Sequence, residues 1–337
     1  MKFRPRSAWR TPWQADTLTG LLMVMCARRL GEGALLDKLI EPMRGGRPPF
    51  VLSDAFPGDL LPMPAWCRLE LPAGVEPKIW KRKRWVGKEL FTALRRGEWA
   101  LPGDGGRAEL QAGTQAKSDD EVFVESARYH NTISRMTDTT TDEGDDTAVG
   151  LYQKSDCQLR PEAVQELSVY ARVVDASAAE LLVELMDELV RTGFGADVST
   201  GRGRLEWSGE VQRASELESP VPGANGVVCL STFQPKRGPL PWGYWEAFTK
   251  FGKAGPELGL QDVRKRPLVM FRPGAVFRTD PTTAFLGHLL EATAIYPEAT
   301  AAELAERGLQ PVHAAFGLAV AAVLPETGGY EAASAAW

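Results

Sequence analysis

Residues 193–203 read Gly-Phe-Gly-Ala-Asp-Val-Ser-Thr-Gly-Arg-Gly, and this glycine-rich loop says most about how the 337-residue chain folds. Its four glycines permit positive φ angles and let the backbone approach a ligand without a Cβ atom in the way. Successive amide groups in such a loop can surround an anion, and nearby hydroxyl and guanidinium groups add donors. A plain helix-to-strand turn is the alternative. The loop predicts a phosphate site formed by Ser199, Thr200, Gly201, Arg202, Gly203 and Arg204.

The loop follows the clearest helix of the sequence. Ser177 and Glu180 have the spacing of a capping box, and Gly193 suits the left-handed position after the last turn. Because the glycines come after this helix, they fit neither the phosphate loop of nucleotide hydrolases nor the dinucleotide fingerprint, which precede a helix. Apolar residues at helical spacing predict one buried face: Leu181, Leu182, Leu185, Met186, Leu189 and Val190.

Other segments supply the remaining elements of a first domain. Asp16 is a suitable N-cap for a helix that ends near Gly31. The predicted order of strand, helix, strand, strand, helix and strand is that of a ferredoxin-like unit. Strands are predicted at Lys2–Trp9, Trp66–Leu71, Val122–Arg135, Val149–Lys154, Leu167–Val174 and Arg204–Trp207.

The predicted fold class is α+β, with two ferredoxin-like (RRM-like) units. The first unit spans residues 1–214 and carries a large insertion at about 74–120. Residues 215–225 are rich in proline and glycine and are predicted to be a linker. The second unit, residues 226–337, is smaller and degenerate, with strands expected near Val227–Phe233, Leu268–Phe277 and Val312–Val323.

The charge is unevenly distributed along the chain. The net charge is −5, yet eight basic residues and one acid lie between Lys78 and Arg96, and five basic residues and no acid lie between Arg264 and Arg278. This pattern favours one defined polyanion site together with protein partners. The densest basic run is a candidate RNA contact, in which cations hold phosphates and a ring stacks on a base; a solvated loop is the alternative. It comprises Lys81, Arg82, Lys83, Arg84 and Trp85.

The strand predicted at Val122–Arg135 carries a second set of candidate RNA contacts. Alternation places Arg128 and His130 on one face and Asn131 and Arg135 on the other. Each of these side chains can contact a phosphate, a ribose or a base edge of RNA. A purely structural role is the alternative, above all for the histidine.

Three further features are assigned to structure or to protein contact. Ser53 and Asp54 are predicted to brace the chain turn before Phe56 rather than to contact RNA. The apolar stretch Ala284–Leu290, which contains His288, is predicted to be a core helix. Aromatic residues of the second unit predict a protein interface: Phe233, Trp242, Tyr244, Trp245, Phe248 and Phe251.

Composition excludes several classes of protein. The longest apolar run, Ala314–Leu324, is too short to span a bilayer, and the N-terminal residues lack the apolar core of a secretory signal. Four scattered cysteines without CxxC spacing argue against a zinc site and against a disulfide scaffold. We therefore expect a cytoplasmic protein that contacts no membrane and has no metal site and no cofactor.

Five motifs in sequence order resemble the RAMP superfamily of CRISPR proteins, and more closely the family of the fourth Csm subunit of type III-A complexes. The resemblance runs from residue 16 to about 205 and is looser in the C-terminal third. Beside the serine of the glycine-rich loop, family members often have a basic residue, whereas this chain has Val198. Arg202 and Arg204 are therefore expected to supply the positive charge. The motifs are Asp16-Thr17-Leu18-Thr19-Gly20, Ser53-Asp54-Ala55-Phe56-Pro57, Leu61-Pro62-Met63-Pro64, His130-Asn131-Thr132-Ile133-Ser134-Arg135 and the glycine-rich loop.

The resemblance implies a non-catalytic, RNA-binding subunit that caps the complex and holds the 5′ handle of the guide CRISPR RNA. It implies docking to the large polymerase-like signalling subunit and to the RAMP backbone subunit, with target RNA contacted only indirectly. Subunits of this kind commonly project a thumb-like hairpin, which the resemblance and the charge together place at Lys78–Arg96.

Two alternatives remain within the same superfamily. The equivalent subunit of a type III-B complex would share the fold and the role. A repeat-processing RAMP endoribonuclease would need paired acid and base groups. The chain has three histidines, His130, His288 and His313, and no second acid or base group is recognisable beside His130. We therefore expect no catalytic residue and no enzyme activity.

Overall fold

The structure is a computed structural model that describes residues 1–68, 76–98, 116–131, 151–236, 238, 241–253, 255 and 264–325. A π-helical turn lies at Leu36–Ile40, and 3₁₀ turns lie at Ala65–Arg68 and Val198–Thr200. The α-helices of these residues are α1 (Ala15–Leu30), α2 (Glu32–Leu35), α3 (Glu41–Arg44), α4 (Pro77–Trp80), α5 (Lys88–Arg95), α6 (Asp119–Val122), α7 (Ala178–Thr192), α8 (Ser215–Glu218), α9 (Ala292–Ile295) and α10 (Glu298–Glu306).

The strands form several small antiparallel sheets, and the fold class is α+β as predicted. None of the helices in the described ranges has both the length and the apolarity needed to cross a bilayer. The strands are β1 (Lys2–Pro5), β2 (Phe50–Leu52), β3 (Phe56–Pro57), β4 (Leu60–Pro62), β5 (Lys83–Gly87), β6 (Lys117–Ser118), β7 (Phe123–Asn131), β8 (Leu151–Leu159), β9 (Leu167–Ser168), β10 (Ala171–Val173), β11 (Leu205–Trp207), β12 (Gly226–Cys229), β13 (Gly243–Tyr244), β14 (Ala247–Lys250), β15 (Leu268–Phe271), β16 (Val276–Phe277), β17 (Phe285–Leu290) and β18 (His313–Ala322).

The first sheet has the strand order β11-β1-β9-β3 and is antiparallel throughout. Helix α1 lies between β1 and β3 in the sequence, and α7 lies between β9 and β11, so these elements follow the predicted order of strand, helix, strand, strand, helix and strand. A second sheet, in the order β13-β16-β12-β18-β17, belongs to the C-terminal part of the chain. That this sheet is a second, degenerate ferredoxin-like unit stays a prediction.

Two predicted helix caps are wrong, because tertiary contacts use the same side chains differently. Helix α1 begins at Ala15, whose amide donates to the Asp54 carboxylate at 2.8 Å. Asp16 lies inside the first turn and is buried. Ser177 precedes α7 as predicted, but its hydroxyl donates to Asp175 at 2.8 Å instead of capping the helix. Local spacing therefore located both helix starts to within a residue or two but not their hydrogen bonds.

Two predicted elements have a different secondary structure. In place of the strand at Trp66–Leu71, a 3₁₀ turn at Ala65–Arg68 buries two consecutive side chains, Trp66 and Cys67, on one side of the chain. Residues 69–71 lie outside the described residues. The stretch around His288 is strand β17, paired with β18, because a short apolar run does not distinguish a buried strand from a helix.

Residues Lys78–Arg96 do not form a projecting hairpin. Strand β5 is the middle strand of a three-stranded sheet with β4 and β6, and α5 buries Phe91 and Leu94 completely or nearly so. The buried Arg95 guanidinium donates to the carbonyl of Leu217 at 2.7 Å, so the segment predicted to be a linker is anchored to the insertion. The longest strand pair of the described residues outside the C-terminal sheet is that of β7 and β8, which pair over nine residues.

Asp54 joins the first sheet region to the C-terminal part. Its carboxylate accepts hydrogen bonds from the amide of Ala15 at 2.8 Å and from the amide and hydroxyl of Thr232, each at 2.7 Å. Burial raises the pKa of Asp54 to about 6, although the hydrogen bonds from Thr232 and Ala15 favour the charged form; the nearby Asp16 carboxylate raises it further. The predicted bracing role of this residue agrees with these contacts.

We predict that Asp54→Asn removes one component of the pH dependence of stability. The folded-state pKa of about 6 lies above the ordinary 3.8, so this group contributes stability at low pH that is lost as pH rises through about 6. The free energy of unfolding of the variant should therefore rise relative to wild type between about pH 4 and 6 and keep a constant offset above pH 7. Urea unfolding at several pH values measures this difference, and an offset independent of pH would contradict it.

Candidate nucleic-acid interface

The glycine-rich loop (residues 193–203) adopts the positive φ angles that its composition predicts. Gly193, Gly195, Gly201 and Gly203 have φ values of 94°, 84°, 85° and 65°. A Cβ atom at Gly203 would collide with the carbonyl of Phe194, whereas one at Gly201 would meet nothing within 4 Å. The loop is therefore tightly closed at its base and open at Gly201, where a ligand can approach the backbone.

The loop packs against the connector, residues 6–14, which joins β1 to α1. The Ala196 amide donates to the Thr11 hydroxyl at 2.9 Å, and the amide of Gly203 donates to the carbonyl of Ala8 at 2.8 Å. The rings of Phe194 and Trp13 stack with centroids 3.8 Å apart. These contacts fix the conformation of the loop without help from a ligand.

A buried carboxylate, Asp156 on β8, joins the loop, the connector and the β7–β8 hairpin. Arg10 Nε donates to Asp156 Oδ1 at 2.6 Å, and Arg202 Nη2 donates to Asp156 Oδ2 at 2.9 Å. Arg128 Nε lies 3.1 Å from the same Oδ2 atom. Burial disfavours the charged form, but hydrogen bonds from Arg202 and Arg10 keep the pKa of Asp156 below its ordinary value.

A second carboxylate, Asp197 in the loop, contacts Arg10 and Lys154, whose Nζ lies 3.2 Å from Oδ2. We call Arg10, Arg128, Lys154 and Arg202, with the two aspartates, the basic cluster. Four cations and two anions leave two positive charges in excess. The exposed fraction of the side chain rises from 8% for Arg10 and 18% for Arg202 to 36% for Lys154 and 58% for Arg128. The inner cations orient the cluster, and the outer ones face solvent.

His130 and Tyr152 form an aromatic pair beside the basic cluster. They are cross-strand partners, and their rings stack with centroids 5.5 Å apart. Arg10 Nη2 lies 2.9 Å from His130 Nε2, and because a guanidinium only donates, this ring nitrogen accepts. An aromatic pair next to excess positive charge has the components of a site for single-stranded nucleic acid.

With this geometry the chain can be compared with known proteins. No protein-family model matches the sequence, and no curated protein matches it. The fold is similar to a chain of the Csm3–Csm4 subcomplex of the type III-A CRISPR–Cas interference complex, with 13% identity, 96% of this chain and 100% of that chain covered, and a TM-score of 0.58. It is also similar to a chain of the Csm1–Csm4 cassette in complex with cA4, with 15% identity, 97% and 100% covered, and a TM-score of 0.53.

The subunit common to these two assemblies is Csm4. This chain has the Csm4 fold. A further Csm1–Csm4 cassette, in complex with AMPPNP, matches with 15% identity over 97% of this chain and 98% of that chain and a TM-score of 0.53. The resemblance inferred from the five motifs is confirmed at the level of the fold.

Within this Csm4 fold, some candidate residues lie apart from the basic cluster. Asn131 lies on the opposite face of the hairpin from His130, next to Tyr129, and Arg135 lies outside the described residues. Ser199, Thr200 and Arg204 are exposed on or beside the loop. The structure thus brings Arg128, His130 and Arg202 together and leaves Ser199, Thr200 and Arg204 at the periphery of the cluster.

The basic run at residues 81–85 is largely engaged within the fold. Lys83 is buried and its Nζ lies 2.7 Å from Glu121, and Arg84 pairs with Glu246. The Trp85 indole donates to Asp119 at 2.8 Å, and its ring packs between Phe56 and Phe123. Lys81 and Arg82 are exposed. Lys83, Arg84 and Trp85 thus have partners within the fold. RNA contact by this run stays a prediction.

Sequence reasoning missed Arg10, Tyr152, Lys154 and Asp156. The last three lie on β8, where they face β7 in cross-strand pairs such as Arg128 with Lys154. The alternation of side chains along β8 was the available signal. The register in which β8 pairs with β7 could not be predicted, because the sequence of the intervening residues 132–150 has no pattern that fixes it. Arg10 lies 146 residues from Asp156 in the sequence, and no local pattern links the two.

Most aromatic residues of the predicted protein interface build the core instead. Phe233 and Tyr244 are buried, and the half-buried Trp245 stacks on Phe271 and Phe277. Only Phe251, among the six named above, is largely exposed, at 78%. A run of aromatic residues therefore did not distinguish a core from an interface.

We predict that Asp156→Ala destabilises the protein by about 3–5 kcal/mol, because it leaves the guanidinium groups of Arg10 and Arg202 without their buried counter-ion. Glu206→Ala is the matched control, since it breaks an exposed pair with Arg6 and should cost far less stability. Urea unfolding monitored by tryptophan fluorescence measures both. If the two variants lose equal stability, Asp156 does not organise the cluster.

Proposed function

We propose that this chain is a non-catalytic, RNA-binding subunit of a type III CRISPR effector complex, which caps the guide RNA by its 5′ handle. The fold supports a place in such a complex, since the similar chains belong to Csm1–Csm4 and Csm3–Csm4 assemblies of a type III-A system. The order of the five sequence motifs supports the same family. The equivalent subunit of a type III-B complex is the alternative that shares fold and role.

The basic cluster is the observation that carries the proposal. Its outer cations, Arg128 and Lys154, lie on one face of the β7–β8 hairpin and can bind phosphates. The His130–Tyr152 pair beside them offers ring surface for a base, and the open backbone at Gly201 can approach a phosphate or ribose. The small excess of charge fits a few nucleotides of single strand better than the extended backbone of a duplex.

We further propose that the subunit docks the large polymerase-like signalling subunit and the RAMP backbone subunit, and that it meets target RNA only through them. The partner chains of the similar structures, Csm1 and Csm3, support this arrangement. The β7–β8 hairpin carries the basic cluster on one face and leaves its other face for such contacts.

We predict that Arg128→Ala combined with Lys154→Ala weakens binding of handle-bearing guide RNA. Each lost phosphate contact with a single strand lowers the slope of log affinity against log salt by about 0.7, so the double variant should lose about 1.4. Fluorescence anisotropy between low and moderate salt measures the slope. An RNA with the same spacer but no handle should bind more weakly to the wild type and respond less to the substitutions.

The matched control is Lys81→Ala combined with Arg82→Ala, which removes two exposed cations from the basic run. This variant should keep the wild-type slope if the β7–β8 hairpin rather than the run contacts the guide. The reverse result would be a lower slope for the control variant and an unchanged slope for the variant of Arg128 and Lys154. It would assign the RNA site to the run at residues 81–85.

The repeat-processing endoribonuclease is the second candidate, and the histidines speak against it. His130 Nε2 accepts from Arg10, and His313 is buried with its Nε2 atom 3.0 Å from Asp16. His288 lies on strand β17. An acid–base pair must reach the scissile phosphate and its leaving group, and the buried His313 offers no such access.

We predict that the purified full-length chain leaves repeat RNA intact over hours, in the presence and absence of divalent metal ions. His130→Ala should behave in the same way, since this ring is proposed to bind RNA and not to transfer protons. Denaturing gel electrophoresis of end-labelled RNA measures cleavage. Site-specific cutting that His130→Ala abolishes would establish the nuclease in place of the binding subunit.

A further inference from the structure

The hairpin formed by β14 and β15 carries a second concentration of positive charge, separate from the basic cluster. A bridge between Lys253 and Arg264 extends the pairing beyond both strands. We call residues 247–253 and 264–272 the basic hairpin. It contains six cations and no acid: Lys250, Lys253, Arg264, Lys265, Arg266 and Arg272.

The cations at the base of the hairpin contact groups within the protein. Lys250 Nζ lies 2.7 Å from Asp16 Oδ2, and Lys265 Nζ lies 3.2 Å from His313 Nδ1. Arg272 pairs with Glu246 at 2.9 Å and lies over the ring of Phe248. These contacts fix the base of the hairpin to the rest of the molecule.

Lys253, Arg264 and Arg266 expose much of their surface to solvent. Beside them Phe251 exposes 78% of its surface, more than any other large hydrophobic side chain of the described residues. A ring left in water contributes no burial to stability, so this residue has no evident role in the isolated fold.

The surroundings of Phe251 favour RNA over a protein as its partner. The cores of protein interfaces are depleted in charged residues other than arginine, whereas the basic hairpin places three cations and no acid around the ring. Surfaces that bind single-stranded nucleic acid instead combine an exposed ring, on which a base stacks, with cations along the backbone. Phe251 with Lys253, Arg264 and Arg266 has the second composition.

The basic hairpin and the basic cluster lie at the two ends of one short segment. Lys250 Nζ lies 2.7 Å from Gln14 Oε1 in the connector, and Arg10 of the same connector belongs to the basic cluster. The four residue steps from Arg10 to Gln14 span at most about 14 Å. A single strand of moderate length can therefore reach from one basic site to the other.

We propose that the basic hairpin is a second contact for single-stranded RNA, in which Phe251 stacks on a base and Lys253, Arg264 and Arg266 bind phosphates. The strand is the one whose handle occupies the basic cluster, so this inference rests on the proposed function. It adds a surface outside the five motifs and the glycine-rich loop, in the basic stretch from Arg264 to Arg278 that the sequence already marks by its charge.

The test uses the full-length chain and a fluorescein-labelled oligouridylate of about 15 nucleotides, near the upper size of known single-strand sites. Phe251→Ala should weaken binding at least about 5-fold, the effect of losing one stacked base, with little change in salt dependence. Arg264→Ala combined with Arg266→Ala should lower the salt slope by about 1.4. All three residues are exposed, so the variants should fold, which urea unfolding verifies.

Matched controls are Val211→Ala, an exposed apolar residue, and Arg213→Ala combined with Arg307→Ala, two exposed arginines outside the hairpin. Both should bind as the wild type does. If the hairpin variants also bind like wild type while Arg128→Ala with Lys154→Ala loses affinity, the second contact is refuted and the proposed function stands. If the wild type binds no RNA, both fail. Loss of a protein partner by the hairpin variants, with RNA binding intact, would assign the hairpin to a protein interface.

Discussion

The rest of the structure depends on Asp54, a buried carboxylate shared by two parts of the chain. It accepts from the first amide of α1 and from the amide and hydroxyl of Thr232, and so fixes the start of the first long helix against the C-terminal sheet. Its neighbour Asp16 repeats the arrangement through Lys250 and His313. Because a buried carboxylate without donors is costly, these contacts specify one packing of the two parts.

Asp156 has the corresponding role at the candidate RNA site. Three segments that are far apart in sequence, the connector, the glycine-rich loop and the β7–β8 hairpin, each send a guanidinium to it. Like charges so close together would repel one another without the carboxylate between them. The anion therefore makes a dense cation cluster compatible with a stable fold, and the excess charge is directed at solvent, where a polyanion can bind.

The two basic sites share a common support in the connector between β1 and α1. Thr11 and Trp13 contact the glycine-rich loop, and Arg10 is part of the basic cluster. Gln14 accepts a hydrogen bond from Lys250 of the basic hairpin. In a chain with a net charge of −5, one short segment thus supports two local concentrations of positive charge.

The sequence by itself determined the α+β class, the helix before the glycine-rich loop, the positive φ angles of that loop and the alternation that places Arg128 and His130 on one face. These follow from backbone sterics and from the periods of helix and strand, which act over a few residues. Only the tertiary structure decided that Asp16 is buried instead of capping α1, that Lys83 and Arg84 pair internally, and that Arg10, Lys154 and Asp156 complete the cluster. Ion-pair partners depend on which segments meet in space, and Arg10 and Asp156 are 146 residues apart. No local period encodes a contact of that range.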